Sequence, residues 1–252
     1  MSGKISISVE DRVALVTGAA TGIGAAIAQE LAAQGARVIA ADIKWDGADA
    51  ANSSIERITC DVADKSSVQD CVAAIEDRHG GVEILVNNAA LATSVKLQPF
   101  ESIDPEEWAR VVSVNTLAPF LCSQAVVPRM RERKWGRIIN LTSAAIFTAV
   151  PFMLHYVTSK GAIAAMTRSL AKELGGDGIT VNAIAPGLTM TQGIRRNTGY
   201  SEEMLAGAVA MRCLPREELP EDLTGVCVFL ASEASAFMTG QIVAVDGGSV
   251  FH

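Results

Sequence analysis

Charge is scarce in this 252-residue chain: only 19% of its residues are Asp, Glu, Lys or Arg. No segment is low in complexity or charged with one sign over a long stretch. That excludes an extended disordered protein, in which too little apolar surface is buried to offset chain entropy. A basic excess is lacking as well. The formal net charge is −7 and the pI about 5.1, which argues against broad binding to nucleic acid or to an anionic membrane surface. The chain has no unbroken run of about 18 apolar residues, so no membrane-spanning segment is expected. Met1–Glu10 lacks a basic stretch followed by an apolar one, so no secretory leader is expected either. The five cysteines (Cys60, Cys71, Cys122, Cys213, Cys227) show no Cys-x-x-Cys spacing and read as thiols in a reducing compartment. The three histidines are too far apart in sequence to suggest a metal site, and none is expected. These absences together predict a soluble, cytoplasmic protein.

Apolar material is plentiful. Hydrophobic residues make up 49% of the chain and mean hydropathy is +0.28, enough for a substantial core. With no linker and no repeat, residues 1–252 read as one α/β domain, a size normal for a single unit. Val13–Val16 is a short apolar run closed by Thr17-Gly18, and an Ala-rich helical stretch, Ala25–Gln34, follows and stops at Gly35. Between them lies Gly18-Ala19-Ala20-Thr21-Gly22-Ile23-Gly24. Strand, glycine loop and helix are the context in which backbone can approach a pyrophosphate at a helix N-terminus. The spacing is G-x-x-x-G-x-G, not the common G-x-G-x-x-G, and a plain turn would also use such glycines.

Arg37–Asp42 reads as a second strand ending in an acid. An acid there can accept the ribose hydroxyls of an adenosine and repel a 2′-phosphate. Neither Thr21 nor Ile43, where a basic residue could neutralise that phosphate, is charged, so NAD is favoured over NADP; the bland alternative is that Asp42 only ends a strand. Ile58–Val62 reads as a third strand with Asp61 placed to meet an adenine amino group, followed by a helix over Lys65–His79 that stops at Gly80-Gly81. Ile84–Val86 is a fourth strand leading into Asn87-Asn88-Ala89-Ala90. Asp104-Pro105-Glu106-Glu107 opens a long helix, with Pro just inside its start and acids in its first turn. Asn115 within it is expected to bond and disturb its backbone. Arg129, Arg131, Arg133, Lys134 and Arg137 read as a solvated basic helix end, or as a dock for an acidic partner. Arg137–Ser143 is a fifth strand, Tyr156–Leu174 a helix, Ile179–Ile184 a sixth strand, and Gln241–Val245 the last. Residues 188–220 have weak periodicity and read as an irregular substrate lid, though any packed loop would look similar. Alternating strands and helices predict a doubly wound parallel sheet of about seven strands with helices on both faces.

The chemistry centres on His155-Tyr156-Val157-Thr158-Ser159-Lys160, with Ser143 thirteen residues before the tyrosine. Tyr156 and Lys160 are four apart and share a helix face. A phenol titrates near pH ~10, and a neighbouring ammonium is expected to lower that value. Reaching pH ~7 takes roughly 4 kcal/mol of preference for the phenolate, part from the lysine and part from a cationic cofactor.

Taken together, Thr17-Gly18-x-x-x-Gly22-Ile23-Gly24, Asp61-Val62, Asn87-Asn88-Ala89-Ala90, Asn115, Ser143, Tyr156-x-x-x-Lys160, Pro186-Gly187 and Asp246-Gly247-Gly248 resemble the short-chain dehydrogenase/reductase family over essentially the whole chain. The resemblance implies a Rossmann-like fold, with Tyr156 as general acid/base and Lys160 on the nicotinamide ribose. Ser143 would polarise the substrate oxygen, and Asn115 would hold a water linking Lys160 to solvent. Gly18, Gly22, Ile23 and Gly24, with Thr21 in the same loop, would cradle the pyrophosphate. Asp42 would bind the adenosine ribose, Asp61 and Val62 the adenine, and Asn88 the cofactor's ribose side. Pro186 and Gly187 would bind the cofactor, and Thr189 and Thr191 would meet the nicotinamide amide end. Ala90 stands where the family usually has glycine, and Thr21 where NADP-using members often have arginine. Family members are commonly tetramers, so a homotetramer is expected.

The function expected is NAD-dependent interconversion of a secondary alcohol and its ketone, as in bacterial dehydrogenases of small ring-bearing alcohols. Leu91, Ala145, Ile146, Met153 and Leu188, beside Ser143 and Tyr156, would form an apolar pocket wall, unless they are only core. Two alternatives stand beside it: a 3-oxoacyl-[acyl-carrier-protein] reductase, which Asp42 disfavours because that chemistry normally draws on NADPH, and an NAD-binding protein without turnover. A lyase or epimerase on this scaffold would usually lose part of the Ser143, Tyr156 and Lys160 set.

Overall fold

The computed structural model describes residues 7–45 and 54–251. Short apolar runs become seven strands: β1 (Val13–Thr17), β2 (Arg37–Asp42), β3 (Ile55–Thr59), β4 (Ile84–Asn87), β5 (Gly136–Leu141), β6 (Ile179–Pro186) and β7 (Ile242–Val245). All pair in parallel in the order β3-β2-β1-β4-β5-β6-β7. Helices α1 (Gly22–Ala33), α2 (Lys65–His79), α3 (Pro105–Arg133), α4 (Ala145–Thr148), α5 (Leu154–Leu174), α6 (Gln192–Arg196), α7 (Glu202–Ala210) and α8 (Thr224–Ala231) complete the fold.

Successive residues of a strand face opposite sides of the sheet, so a sheet covered on both faces needs near-continuous apolar strands. In β1, Val13 and Leu15 join one core with Val72 and Ile75 of α2, Leu121 of α3 and Leu174 of α5. Ala14 and Val16 join the other, with Ile27 and Leu31 of α1 and Cys227 and Leu230 of α8. Strand order reverses between β1 and β4, and a parallel sheet offers its ligand crevice beyond the carboxyl ends of the strands at that point.

Local signals set several boundaries. The carboxylate of Asp64 accepts the N–H of Ser67 at 2.8 Å to cap α2, and Gly80 ends it in the left-handed conformation at φ 82°. Asp104 caps α3 by accepting the Glu106 N–H at 2.7 Å, with Pro105 in the first turn.

Five sequence expectations need correction. The third strand lies three residues earlier than Ile58–Val62. Its last pair is Thr59 with Asp42, after which Asp61 turns back to accept the Ala63 N–H and leaves the sheet. The lid is not irregular: it forms α6 and α7, capped by the hydroxyls of Thr191 and Ser201. Helices this short and half-exposed leave little periodic pattern.

Asn115 leaves α3 continuous, because its amide turns away to bond Leu91 rather than its own helix. Arg137 is no part of a solvated basic run. It lies within β5 between β4 and β6, is 2% exposed, and sits 4.4 Å over the Trp135 ring while donating to the Gly136 carbonyl. Finally, although no unbroken apolar run is present, α3 is long and apolar enough to cross a membrane by length and composition. Half of that stretch is buried, with Val111, Leu121, Val126 and Met130 turned into the protein.

Candidate active site

The crevice at the strand ends is a cavity of about 1100 Å³, running from Asp42 and Asp61 at one end to Ser143, Tyr156 and Thr189 at the other. Its floor is stitched by Thr17 and Asn88. The Thr17 hydroxyl accepts the N–H groups of Asn88 and Ala89, each at 3.1 Å, and the Asn88 amide donates to the carbonyls of Thr17 and Gly18, each at 2.9 Å. This close approach demands glycine. Gly18 has φ +64°, and a Cβ there would lie 2.8 Å from the Ala89 Cα; a Cβ on Gly24 would lie 2.2 Å from the Gly18 carbonyl oxygen. Gly24 therefore packs the loop from beneath and does not line the cavity, whereas Gly18, Thr21, Gly22 and Ile23 do. Thr21 heads α1 without a side-chain cap. A helix end of this kind, reached over a cradle that side chains would fill, fits a dinucleotide pyrophosphate.

At the adenosine end, Asp42 accepts the Ala20 N–H at 2.9 Å and the Lys44 N–H at 3.3 Å. Its carboxylate thus ties the glycine loop to the end of β2 at the cavity wall. Ile43 and Cys60 line the same end beside Asp61 and Val62.

At the other end, β5 and α5 deliver the reactive set. Ser143 lies two residues beyond β5, 8% exposed, its hydroxyl accepting the Ala145 N–H at 3.2 Å and hydrogen-bonded to Tyr156. The Lys160 ammonium is buried and donates to the Leu141 carbonyl at 2.8 Å; it sits 5.8 Å from the centre of the Tyr156 ring. The Thr142 hydroxyl in turn donates to the Lys160 carbonyl, so strand and helix are locked together.

The pKa expectation is reversed. Burial pushes the Tyr156 phenol up to about 12, only partly opposed by the Ser143 hydrogen bond. Burial likewise pulls Lys160 down to about 8. The physical reason is that burial disfavours both charged forms, and the ammonium is bonded to a carbonyl rather than to the phenol oxygen.

Asn115 stands behind this set. Its side-chain oxygen accepts the Leu91 N–H at 2.7 Å, and its amide donates to the Leu91 carbonyl and the Ser159 hydroxyl. Pro119, four residues on, has no N–H to offer the Asn115 carbonyl.

Of the expected pocket wall, Leu91, Ala145, Met153 and Leu188 line the cavity. Ile146 does not: it is half-buried in α4, turned away from the cavity by that single helical turn. Pro186, Gly187, Thr189 and Thr191 all reach the cavity. Sequence reasoning missed Tyr200 and Met204 on the lid, whose place over the cavity no local pattern announced. It also missed Arg212 and Glu218, which read as ordinary surface charges in a polar stretch yet are buried.

A family model described as enoyl-(acyl carrier protein) reductase matches residues 18–250. The chain is 39% identical over 248 residues to the probable galactose dehydrogenase GalD of Rhizobium meliloti, covering 95% of each chain. It is 35% identical to D-threitol dehydrogenase of Mycolicibacterium smegmatis, over 98% of this chain and 96% of that one. A crystal structure from Sinorhizobium meliloti 1021, provisionally described as a short-chain alcohol dehydrogenase, superposes with a TM-score of 0.89 at 32% identity, over 96% of this chain and 98% of that one.

The Lys160 shift has a consequence for stability. The unfolded chain holds that proton to near pH 10.5, while the folded protein releases it near 8. Between those values the unfolded state binds more protons, so this group's contribution to stability rises with pH, by about 3 kcal/mol at most. Urea unfolding of the cofactor-free protein should show wild type gaining stability relative to Lys160→Met between pH 7 and pH 9.5. Equal pH responses in the two proteins would contradict the depressed lysine.

Proposed function

The chain belongs to the short-chain dehydrogenase/reductase family and is an oxidoreductase of CH–OH groups, and from that premise we propose that it uses NAD to interconvert a hydrophobic, aryl or cyclic, secondary alcohol and its ketone. The observation that carries this reading is the meeting of Ser143, Tyr156 and Lys160 at one end of a crevice whose other end presents Asp42. The bound nicotinamide supplies the hydride acceptor in oxidation and the hydride donor in reduction. Tyr156 takes the hydroxyl proton from the alcohol, or returns it to the ketone oxygen. Ser143, already hydrogen-bonded to Tyr156, holds that same oxygen. Lys160 supports the phenolate by its charge and holds the nicotinamide ribose. The Asn115 carbonyl, which lacks its partner at Pro119, would hold the water that carries protons to Lys160.

Asp42 is the basis for NAD. Its carboxylate faces a wall with no cation from Thr21 or Ile43, so a 2′-phosphate there would meet uncompensated negative charge. The galactose and threitol relatives are named for a sugar and a polyol. Here Leu91, Met153, Leu188 and Met204 line the cavity near Tyr156, which supports a less polar substrate. The basic residues Arg129, Arg131, Arg133 and Lys134 lie beside Gly80, Gly81 and Asp177, at the amino-terminal edge of the sheet and away from the crevice. Their position argues against a carrier protein docking there to feed the site. Leu117 and Phe120 on α3 and Leu154 on α5 are exposed and support a homotetramer paired through these helices. The free thiols, four of them buried, support a reducing cytoplasm.

Replacing Tyr156 by Phe should lower kcat by at least about 100-fold, the scale of general acid–base catalysis, and leave NADH binding nearly unchanged. Turnover at the wild-type rate would remove Tyr156 from the mechanism. Asp42→Ala should lower the ratio of kcat/KM with NAD to that with NADP by about tenfold or more, the scale of a charged hydrogen bond. Steady-state rates with the two cofactors measure it, and an unchanged ratio would leave Asp42 as only the end of β2.

A further inference from the structure

The lid brings a second phenol to the crevice. Tyr200 stands in the turn between α6 and α7, and Asn197 fixes that turn. The Asn197 amide donates to the Thr93 carbonyl at 2.8 Å, and its side-chain oxygen accepts the Gly199 N–H at 2.8 Å. Its main-chain carbonyl accepts the Tyr200 N–H at 3.2 Å. Ser201 follows at once and caps α7 by accepting the Met204 N–H at 3.2 Å. The Tyr200 backbone is therefore held from both sides.

Its hydroxyl reaches across the crevice to the head of α5 and lies 3.8 Å from Met153 Sδ. Met153 is 5% exposed and packs in one cluster with Val111, Leu91 and Tyr156. Tyr200, Met153 and Tyr156 all line the cavity. A charge on Tyr200 would push the Tyr156 phenol up, so the two hydroxyls stand within electrostatic reach of each other. Burial pushes the Tyr200 phenol up as well, which keeps its proton on at neutral pH.

Tyr200 is thus a hydrogen-bond donor whose sole hydrogen-bond partner among the described residues is a thioether, a weak acceptor. A buried tyrosine normally finds a better partner for its O–H, and phenylalanine would serve packing alone equally well. A ligand oxygen in the crevice would complete the bond. The reacting oxygen of an alcohol is already taken by Ser143 and Tyr156 on the proposed reading, so the oxygen for Tyr200 is a second one.

We propose that Tyr200 is a specificity-determining residue that donates its phenol O–H to a second oxygen of the substrate, and that the substrate class is a cyclic diol or its hydroxyketone. The proposal rests on the reading that this site oxidises a secondary alcohol with NAD, and it narrows that reading. The ring lies against Leu91, Met153, Leu188 and Met204, and the second oxygen faces the lid turn. The reaction itself is unchanged: the carbon gives a hydride to the nicotinamide, its hydroxyl gives a proton to Tyr156, and the second oxygen keeps its bonds.

Initial rates with NAD on cyclohexanol, cyclohexane-1,2-diol and cyclohexane-1,3-diol test it, since the substrates differ only by the added hydroxyl. Wild-type protein should favour one of the diols over cyclohexanol in kcat/KM by about tenfold, the scale of one neutral hydrogen bond, with most of the difference in KM. Tyr200→Phe should bring that ratio close to one. A ratio that survives in Tyr200→Phe while both rates fall would make Tyr200 a packing residue and overturn the proposal, as would a wild-type protein with no preference. Both results leave the NAD reading intact, whereas no turnover of any of the three alcohols would overturn proposal and reading together. A second measurement does not depend on the Phe variant folding. In Tyr156→Phe protein Tyr200 is the single tyrosine, so a label on the ring carbon that bears the oxygen reports on it alone. With NAD bound, that signal should move on adding the favoured diol and stay in place with cyclohexanol. The same response to both would overturn the donor role.

Discussion

The buried ammonium of Lys160 is the constraint on which the site depends. It sits at the end of β5, bonded to the Leu141 carbonyl and buried at the wall of the crevice. Its position four residues after Tyr156 on α5 puts a cation within reach of the phenol, and the Thr142 bond to its carbonyl fixes the helix against the strand. The burial of these groups opposes the charge separation that the proposed chemistry needs. Tyr156 stands near 12 and Lys160 near 8 in the protein alone. Bringing the phenol from there to neutrality takes about 7 kcal/mol of added preference for the phenolate. Lys160 alone does not provide it here. On the proposed reading, the positive charge of an oxidised nicotinamide would be the remaining source, and base strength would depend on the cofactor's redox state.

The rest of the fold serves the crevice. Apolar strands covered on both faces place their carboxyl ends along one edge, and the reversal of order between β1 and β4 opens the cavity there. Thr17 and Asn88 join the ends of β1 and β4 by four hydrogen bonds, and the glycine loop lies where no Cβ would fit. On the far side, the buried pair Arg212 and Glu218 fixes the neck of the lid, so that α6 and α7 stand over the cavity from an anchored base. Rigid floor and tethered cover are the arrangement expected where two reactants must be aligned.

Much of this was legible before any coordinates. Val13–Val16 closed by Thr17-Gly18, Arg37–Asp42 ending in an acid, and Ile84–Val86 leading into Asn87 each became a strand within a residue of its reading. The helix read over Lys65–His79 with its Gly80 stop became α2 with those bounds. Gly18, Asp42, Ser143, Tyr156 and Lys160 came together because spacing along alternating strands and helices determines which loops share an edge.

What was not legible depends on contacts distant in sequence. Asp61 ends β3 early through a turn that its type permits but does not require. Arg137 looks like a surface cation until its neighbours in the sheet bury it against Trp135. The direction of the Tyr156 shift is set by desolvation, a property of the assembled pocket that four-residue spacing does not encode. Glu218 has no signature at all outside the fold.

The most direct test of this account is to titrate Tyr156 itself. The chain has only two tyrosines, so carbon NMR of protein labelled at the tyrosine ring, with Tyr156→Phe as the control, assigns its ionisation without ambiguity. The account predicts a midpoint near 12 for the protein alone and with NADH, and a midpoint several units lower with NAD. A midpoint that is the same in all three states, or that falls equally with NADH, would contradict the claim that the cofactor's charge completes the base.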